Sequence, residues 1–169
     1  MKKRLLAVAI ILIMAVSVIP FAMAAEPENG VFQVDGLYYH VIDSVTKTVE
    51  VINSYGSLES GNIADSAYSG DITIPAEVTY GENTYRVAGI AYRAFYYATE
   101  LTSITLNEGL EYIDSATFTN SGLTSILIPA SVTRLGGSST GTNMTSVFAN
   151  GDNACALESI TFADGSMLQ

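Results

Sequence analysis

One hydrophobic phrase recurs along the chain: a leucine, two polar residues, an isoleucine, a variable residue and a further apolar residue. It occurs at residues 101–106, 123–128 and 157–162, and a shorter copy at residues 71–75 ends in Ile74 and Pro75. Neighbouring side chains of a strand face opposite sides, so the isoleucine and the last apolar residue should face inward. A strand phrase that recurs in this way predicts stacked repeats rather than one central core.

The apolar positions that follow each strand keep a common spacing. Leu110 comes four residues after Leu106, Ile113 comes three residues later, and Phe118 comes five residues after that. Longer spacings elsewhere arise from insertions in the turns. Stacked repeats tolerate such insertions because each unit only has to pack on its neighbours.

The recurring strand phrase and the common spacing of the apolar positions predict a right-handed, curved solenoid over residues 71–169. Four isoleucines occupy the same position in the strand phrase and should form one interior column of parallel strands: Ile72, Ile104, Ile126 and Ile160. Phe118 and its equivalents should fill the broader interior on the opposite side of each coil. One unit cannot bury its apolar side alone, so about three or more are needed for stability.

Antiparallel strands are predicted before the repeats and within the first of them. Residues 32–34 and 37–42 flank Asp35-Gly36, a typical hairpin turn, and a third strand follows at residues 47–52. Residues 25–70 therefore form a small β meander that caps the first coil, with a loop at 53–70. Residues 78–80 and 84–87 predict a second hairpin, which projects from the repeats.

The first 24 residues have the pattern of a secretory signal. Lys2, Lys3 and Arg4 precede an apolar run at residues 5–18, and residues 22–24 form an Ala-Met-Ala cleavage site. The alternative is an uncleaved membrane anchor, because the apolar stretch is nearly long enough to span a bilayer. Pro20 and the small residues near the end of the stretch favour cleavage. We expect a secreted or cell-surface protein with no membrane insertion after cleavage.

Charge and cysteine content exclude two classes of protein. The leader holds three of the seven basic residues and none of the seventeen acidic ones, so the remainder carries a net charge of −13 with histidine neutral. Such a surface repels phosphate, and we expect no nucleic-acid partner. The single cysteine cannot form an internal disulfide, so stability must come from stacking.

The order of short motifs in the repeats resembles the BspA-like leucine-rich repeats of bacterial surface proteins. The matching segments are Ile128-Pro129, Val132-Thr133, Leu135-Gly136, Ala94-Phe95 and Ala154-Cys155-Ala156-Leu157. Ala98 stands where the family has a cysteine, and Cys155 is one place late. The resemblance implies a leucine-rich-repeat solenoid with short parallel strands over residues 71–169, preceded by the antiparallel β module.

Catalytic and metal-binding chemistry finds little support in the sequence. His40 and Cys155 are the only residues of their types and lie far apart in the chain, with no catalytic motif around either. The glycine-rich segment 136–142 lacks the lysine of a phosphate-binding loop. Asp152 and Asn153 are too few for a calcium site. We therefore expect no enzyme activity, no cofactor and no metal.

Two groups of residues are candidates for binding. Outward-facing strand residues should form a flat, uncharged strip: Ser103, Thr105, Ser125, Leu127, Ser159 and Thr161. Tyrosines near the second hairpin form the other candidate group: Tyr80, Tyr85, Tyr92 and Tyr96. The alternatives are that small hydroxyl side chains simply stack well between strands, and that Tyr92 and Tyr96 partly fill the side of the coil.

The resemblance implies an exported binding module for protein–protein or host-surface adhesion, with a protein or glycoprotein ligand. The alternatives are a structural spacer or stalk, and the non-catalytic part of a larger exported enzyme. The last strand phrase begins a repeat that stops before a phenylalanine completes it. We therefore expect the repeats to be incomplete at the C-terminus, with further repeats or self-association through that end.

Overall fold

The computed structural model describes residues 27–57, 65–137, 147–148 and 157–168. The predicted leader, Cys155, Asp152, Asn153 and residues 138–142 of the glycine-rich segment lie outside the described residues. The described elements are a 3-10 turn at Glu28–Gly30 and the strands β1 (Val31–Val34), β2 (Leu37–Asp43), β3 (Thr48–Val51), β4 (Gly70–Ile74), β5 (Glu77–Tyr80), β6 (Asn83–Ile90), β7 (Leu101–Leu106), β8 (Tyr112–Ile113), β9 (Ser125–Ile128), β10 (Arg134–Leu135) and β11 (Ser159–Phe162). No helix in this part of the chain is long and apolar enough to cross a membrane.

The predicted N-terminal hairpin is confirmed. β1 pairs with β2 in antiparallel orientation, and β2 pairs in the same way with β3. Asp35 and Gly36 join β1 to β2 with φ angles of 49° and 83°. Two successive positive φ values are typical of the tight hairpin turn whose twist matches that of the flanking strands.

The N-terminal strands continue directly into the parallel strands of the repeats. The strand order of the largest described sheet is β1-β2-β3-β6-β8-β10. β5 lies outside this order and pairs with β6. β3 runs parallel to β6, β6 to β8, and β8 to β10. Val51, Ile90, Ile113 and Leu135 occupy one row of this ladder, and all four side chains are buried.

The repeated strand phrase forms two parallel pairs, β4 with β7 and β9 with β11. Ile72 stands opposite Ile104 in the first pair, and Ile126 stands opposite Ile160 in the second. Ile104 and Ile126 belong to the same buried core, and the other two isoleucines pack against it. The predicted inward placement of the isoleucines is therefore confirmed, but the four strands form two separate pairs, and no described pairing joins β7 to β9 into the single column that was predicted.

A stack of aromatic rings runs through the core beside the strands. The ring centroids of Tyr68 and Phe95 are 4.9 Å apart, those of Phe95 and Phe118 are 5.5 Å apart, and those of Phe118 and Phe148 are 5.7 Å apart. All four side chains are buried. The phenylalanines thus have the interior position that their spacing predicts, and offset ring contacts add to the energy of burial.

The second hairpin forms from β5 and β6, but it does not project, and the sequence prediction was wrong on this point. β6 pairs with both β3 and β8 within the sheet. Val78 and Tyr85 are buried, and the ring of Tyr80 stacks on that of Phe32 with centroids 4.7 Å apart. The additional residues give a strand with its own inward-facing side chains, so burial of these side chains draws the hairpin into the core.

Close packing of neighbouring repeats depends on a glycine that precedes β9. A Cβ atom on Gly122 would lie 2.3 Å from the carbonyl oxygen of Thr99 and 2.8 Å from that of Leu101. The Gly122 amide also donates a hydrogen bond to the carbonyl of Ala98 at 2.9 Å. A side chain here would push the entry to β9 away from the entry to β7, and with it the outward faces of both strands.

Candidate functional site

The six strand residues proposed as a binding strip are exposed on β7, β9 and β11. Ser125 stands opposite Ser159, and Leu127 stands opposite Thr161 in the β9–β11 pair. β7 lies beside β9, with its own outward residues opposite those of β4. The structure therefore brings these residues to the outward side of the repeated strands. We call the six residues the strand strip.

Leu127 is the one large apolar side chain of the strand strip and is 55% exposed. The other five members carry small hydroxyl side chains. The strands fix the backbone and therefore the spacing of these side chains, so the backbone need not become ordered when a partner binds. The strip offers one apolar anchor among hydrogen-bonding groups.

An acidic residue lies at the β4 end of the strand strip, and the sequence reading missed it. One Asp71 carboxylate oxygen accepts hydrogen bonds from the hydroxyl groups of Thr102 at 2.8 Å and Ser103 at 2.6 Å. These bonds lower the pKa of the Asp71 carboxyl below its usual value, so it stays ionised at neutral pH. The outward face is thus charged at this end. The signal was present, because Asp71 holds the position of the serine in the other strand phrases.

Two of the four candidate tyrosines pack into the core or against it. Tyr85 is fully buried, with the ammonium group of Lys47 5.5 Å from its ring centroid. Tyr80 is half-buried and stacks on Phe32. The sequence prediction placed both on a projecting hairpin, and they turn inward because that hairpin is part of the sheet.

The other two tyrosines gather around an arginine in the segment between β6 and β7. The Arg93 guanidinium carbon lies 5.0 Å from the ring centroid of Tyr92 and 4.6 Å from that of Tyr96. The Tyr96 ring also contacts that of Tyr97, with centroids 4.6 Å apart. Tyr92 is exposed and Tyr96 is half-buried. Tyrosine and arginine are the residues enriched at binding hot spots, so this aromatic cluster is a second candidate surface.

A row of polar side chains crosses the largest sheet. The residues that stand opposite one another on its successive strands are His40, Glu50, Gly89, Tyr112 and Arg134. His40 Nδ1 lies 3.0 Å from one Glu50 carboxylate oxygen, and the Tyr112 hydroxyl donates to the other at 2.8 Å. The Arg134 guanidinium carbon lies 4.4 Å from the centroid of the Tyr112 ring.

The polar side chains of this row contact one another across the strands, and these contacts stabilise the sheet. Burial, together with the neighbouring Glu50 charge, raises the pKa of the Tyr112 hydroxyl well above its ordinary value, so the hydroxyl stays protonated and donates to Glu50. Gly89 leaves the space that the Tyr112 ring fills. His40, the only histidine of the sequence, is therefore engaged in a structural pair. Sequence reasoning could not find the row, because it depends on the register between distant strands.

Within the described ranges, no group of three histidine, cysteine, aspartate or glutamate side chains is placed to hold a metal ion.

Comparison with known proteins gives a family match over most of the repeats. The model of the BspA type leucine-rich repeat region matches residues 62–166 in six copies. No curated protein sequence matches the chain significantly.

Several solved structures of bacterial repeat proteins are similar to the chain. The pneumococcal vaccine antigen PcpA is 17% identical, with 83% of this chain and 40% of that chain covered and a TM-score of 0.46. A leucine-rich repeat protein from Bacteroides capillosus is 20% identical, with coverages of 79% and 99% and a TM-score of 0.47. Another from Bacteroides ovatus is 20% identical, with coverages of 77% and 40% and a TM-score of 0.38. The chain thus spans about two fifths of the length of the pneumococcal antigen.

Proposed function

Because the chain belongs to the BspA-type leucine-rich repeat family, we propose that it is an exported surface protein that binds another protein or glycoprotein. The repeats stack as a solenoid, and the strands present one side of it to the partner. Repeat proteins of this kind use extended surfaces for recognition. The leader-like first 24 residues support export, and an acidic surface suits a protein that stays dispersed outside the cell.

The observation that carries this proposal is the exposure of Leu127 within the strand strip. An apolar side chain that is 55% exposed loses its contact with water when a partner covers it. The hydroxyl groups around it can then pair with polar groups at the rim of the interface. We assign the protein no catalytic role, and adhesion to a host surface is the form of binding that we propose.

The experiment measures binding of the purified chain to immobilised extracellular matrix proteins. The test variant combines Leu127→Glu with Thr105→Glu, which places two charges on the strand strip. The matched control combines Val45→Glu with Thr84→Glu, also an exposed apolar residue and an exposed threonine, but away from the strip. We expect the test variant to lose at least about tenfold in affinity, because a buried unpaired charge is costly, and the control to bind as the unchanged chain does.

Unchanged binding by the test variant would exclude the strand strip as the site. The aromatic cluster around Arg93 would then be the next surface to test, with Tyr92→Ala as the variant. Absence of binding to every protein on the panel would favour a spacer or stalk role. Circular dichroism melting of all variants shows whether each remains folded.

Self-association is a separate proposal that concerns β11. This strand pairs with β9 on one edge, and no other described strand pairs with it. Unpaired strand edges invite pairing with another chain. Size-exclusion chromatography with light scattering should therefore show concentration-dependent oligomers, and a monomer at high concentration would contradict the proposal.

A further inference from the structure

A groove of about 340 Å³ lies beside β4, at the opposite end of the repeated strands from β11. The hairpin turn between β1 and β2 contributes Asp35 and Gly36 to one wall, and β4 contributes Ile72 and Thr73 to the other. Tyr68 also lines the groove, and its buried hydroxyl donates a hydrogen bond to the carbonyl of Ile52 at 3.0 Å. The groove is therefore built on ordered strands and a fixed turn.

One wall of the groove is an unpaired strand edge. β4 pairs with β7 on one side, and among the described strands it has no partner on the other. The backbone amide and carbonyl groups of such an edge form hydrogen bonds with a chain that aligns along it. Strand addition is a general mode of peptide recognition, in which the backbone supplies affinity and alternate side chains supply specificity.

Charge determines which peptide fits this edge. Asp35 and Asp71 are both exposed and both line the groove, one on each wall. Asp71 is held in the ionised form by the hydroxyl groups of Thr102 and Ser103. The whole chain carries a net charge of −10 at pH 7, which attracts basic partners over longer distances. Ile72 offers a half-buried apolar contact between the acidic residues.

We propose that this groove binds an extended segment of a partner protein in which basic and apolar residues alternate, and that the segment adds as a strand to the free edge of β4. The basic side chains lie against Asp35 and Asp71, and the apolar side chains face Ile72 and Tyr68. The groove adjoins the β4 end of the strand strip at Asp71, and peptide binding there does not require Leu127.

The experiment uses fluorescence anisotropy of a labelled peptide of alternating valine and lysine, titrated with the purified chain. The test variant combines Asp35→Asn with Asp71→Asn. The matched control combines Glu82→Gln with Asp164→Asn, two exposed acidic residues outside the groove. We expect the test variant to bind the peptide about tenfold more weakly, the effect of losing two exposed charge pairs, and the control to bind it unchanged.

Four further measurements distinguish strand addition in the groove from general attraction between charges and from binding at the strand strip. A peptide with N-methylated backbone amides should lose binding, because it cannot donate to the strand edge, and a peptide of alternating valine and glutamate should not bind. Ser69→Tyr, which fills the groove from an exposed position, should abolish binding of the lysine peptide. Leu127→Glu should leave binding of the lysine peptide unchanged. The proposal for the groove and the proposal for the strand strip can therefore be tested separately.

Several results would overturn the proposal. They are no binding of the lysine peptide to the unchanged chain, equal binding of the N-methylated peptide, and equal affinity of the Asp35→Asn, Asp71→Asn variant and its control. Thermal melting of each variant, followed by circular dichroism, confirms that a loss of binding comes from the groove and not from unfolding.

Discussion

Gly89 and Tyr112 illustrate how one missing side chain supports a polar network. A Cβ atom on Gly89 would lie 2.0 Å from the Tyr112 ring. We expect Gly89→Ala to destabilise the protein by about 1–3 kcal/mol, because the ring must move and its hydroxyl must leave Glu50. In a Tyr112→Thr background the same change should cost almost nothing, since no ring fills the space. Urea denaturation of the unchanged chain, the two single variants and the double variant measures the coupling energy between Gly89 and Tyr112.

Tyr112→Phe is the control background for the Gly89→Ala substitution. It keeps the ring and removes the hydrogen bond to Glu50, so Gly89→Ala should remain costly in that background. Equal costs of Gly89→Ala in the Tyr112→Thr and unchanged backgrounds would show that the ring does not require the glycine.

Ile126 and Thr105 test the two faces of the repeated strands. Ile126 is 4% exposed on β9, whereas Thr105 on β7 is exposed. We expect Ile126→Asp to unfold the domain, because it places an unpaired charge in the core at a cost above about 4 kcal/mol. Thr105→Asp should change stability by less than about 0.5 kcal/mol. Circular dichroism at neutral pH distinguishes the two, and a folded Ile126→Asp chain would show that this position is not part of a tightly packed core.

Residue placement was predictable from the sequence where a strict alternation governs it. The phrase around Ile104 fixes which side chains enter the core, because adjacent strand residues face opposite sides. Tyr85 was misplaced because its burial depends on the strands that β6 joins. The position of Asp71 in the strand phrase places it on the outward face, but the hydrogen bonds that it accepts from Thr102 and Ser103 depend on the pairing of β4 with β7. Contacts between strands distant in sequence depend on register, which a single sequence does not reveal.

At the scale of elements, a glutamate connects the turns of neighbouring repeats. The Glu108 carboxylate, in the turn after β7, accepts hydrogen bonds from the amides of Ala130 and Ser131, both at 3.1 Å, in the turn after β9. These bonds lower the pKa of the Glu108 carboxyl below its ordinary value of 4.5. Its stabilising effect is therefore present above that ordinary value, and it is lost as pH falls through the lowered pKa of the folded state.

We expect Glu108→Gln to lower Tm at about pH 7 and to reduce the fall in Tm between about pH 7 and pH 3. Glu82→Gln, at an exposed residue in the hairpin turn between β5 and β6, serves as the control and should leave that fall unchanged. Thermal melting at both pH values measures the effect. The same fall in the Glu108→Gln variant as in the unchanged chain would show that the carboxylate does not connect the turns in solution.

Elements were predicted well where turn chemistry and alternation agree. The Asp35-Gly36 turn and its flanking strands follow from a dipeptide whose backbone suits a tight hairpin. The β5–β6 hairpin was also predicted, but its position was not, because the residues that lengthen this repeat were interpreted as a surface insertion. Inward-facing Val78 and Tyr85 give this hairpin an apolar face, and that face decides where it packs.

For the whole molecule, we expect the N-terminal strands and the repeats to unfold as one cooperative unit. β3 pairs with β6, so the N-terminal strands share a sheet with the repeats. The Phe32 ring joins the two parts, with its centroid 5.4 Å from that of Tyr39, 4.7 Å from that of Tyr80 and 5.2 Å from that of Tyr85. Loss of this ring should therefore weaken both parts of the chain together.

We expect Phe32→Ala to lower the free energy of unfolding by about 3–5 kcal/mol while a single thermal transition is kept. Hydrogen exchange then locates the effect, because amides of β9, including that of Ile128, lose protection along with those of β2 if the chain opens as one unit. Val45→Ala, at a side chain that is 89% exposed, is the control and should change neither. If β9 kept its protection while β2 lost it, the N-terminal strands would be an independent cap that the repeats do not need.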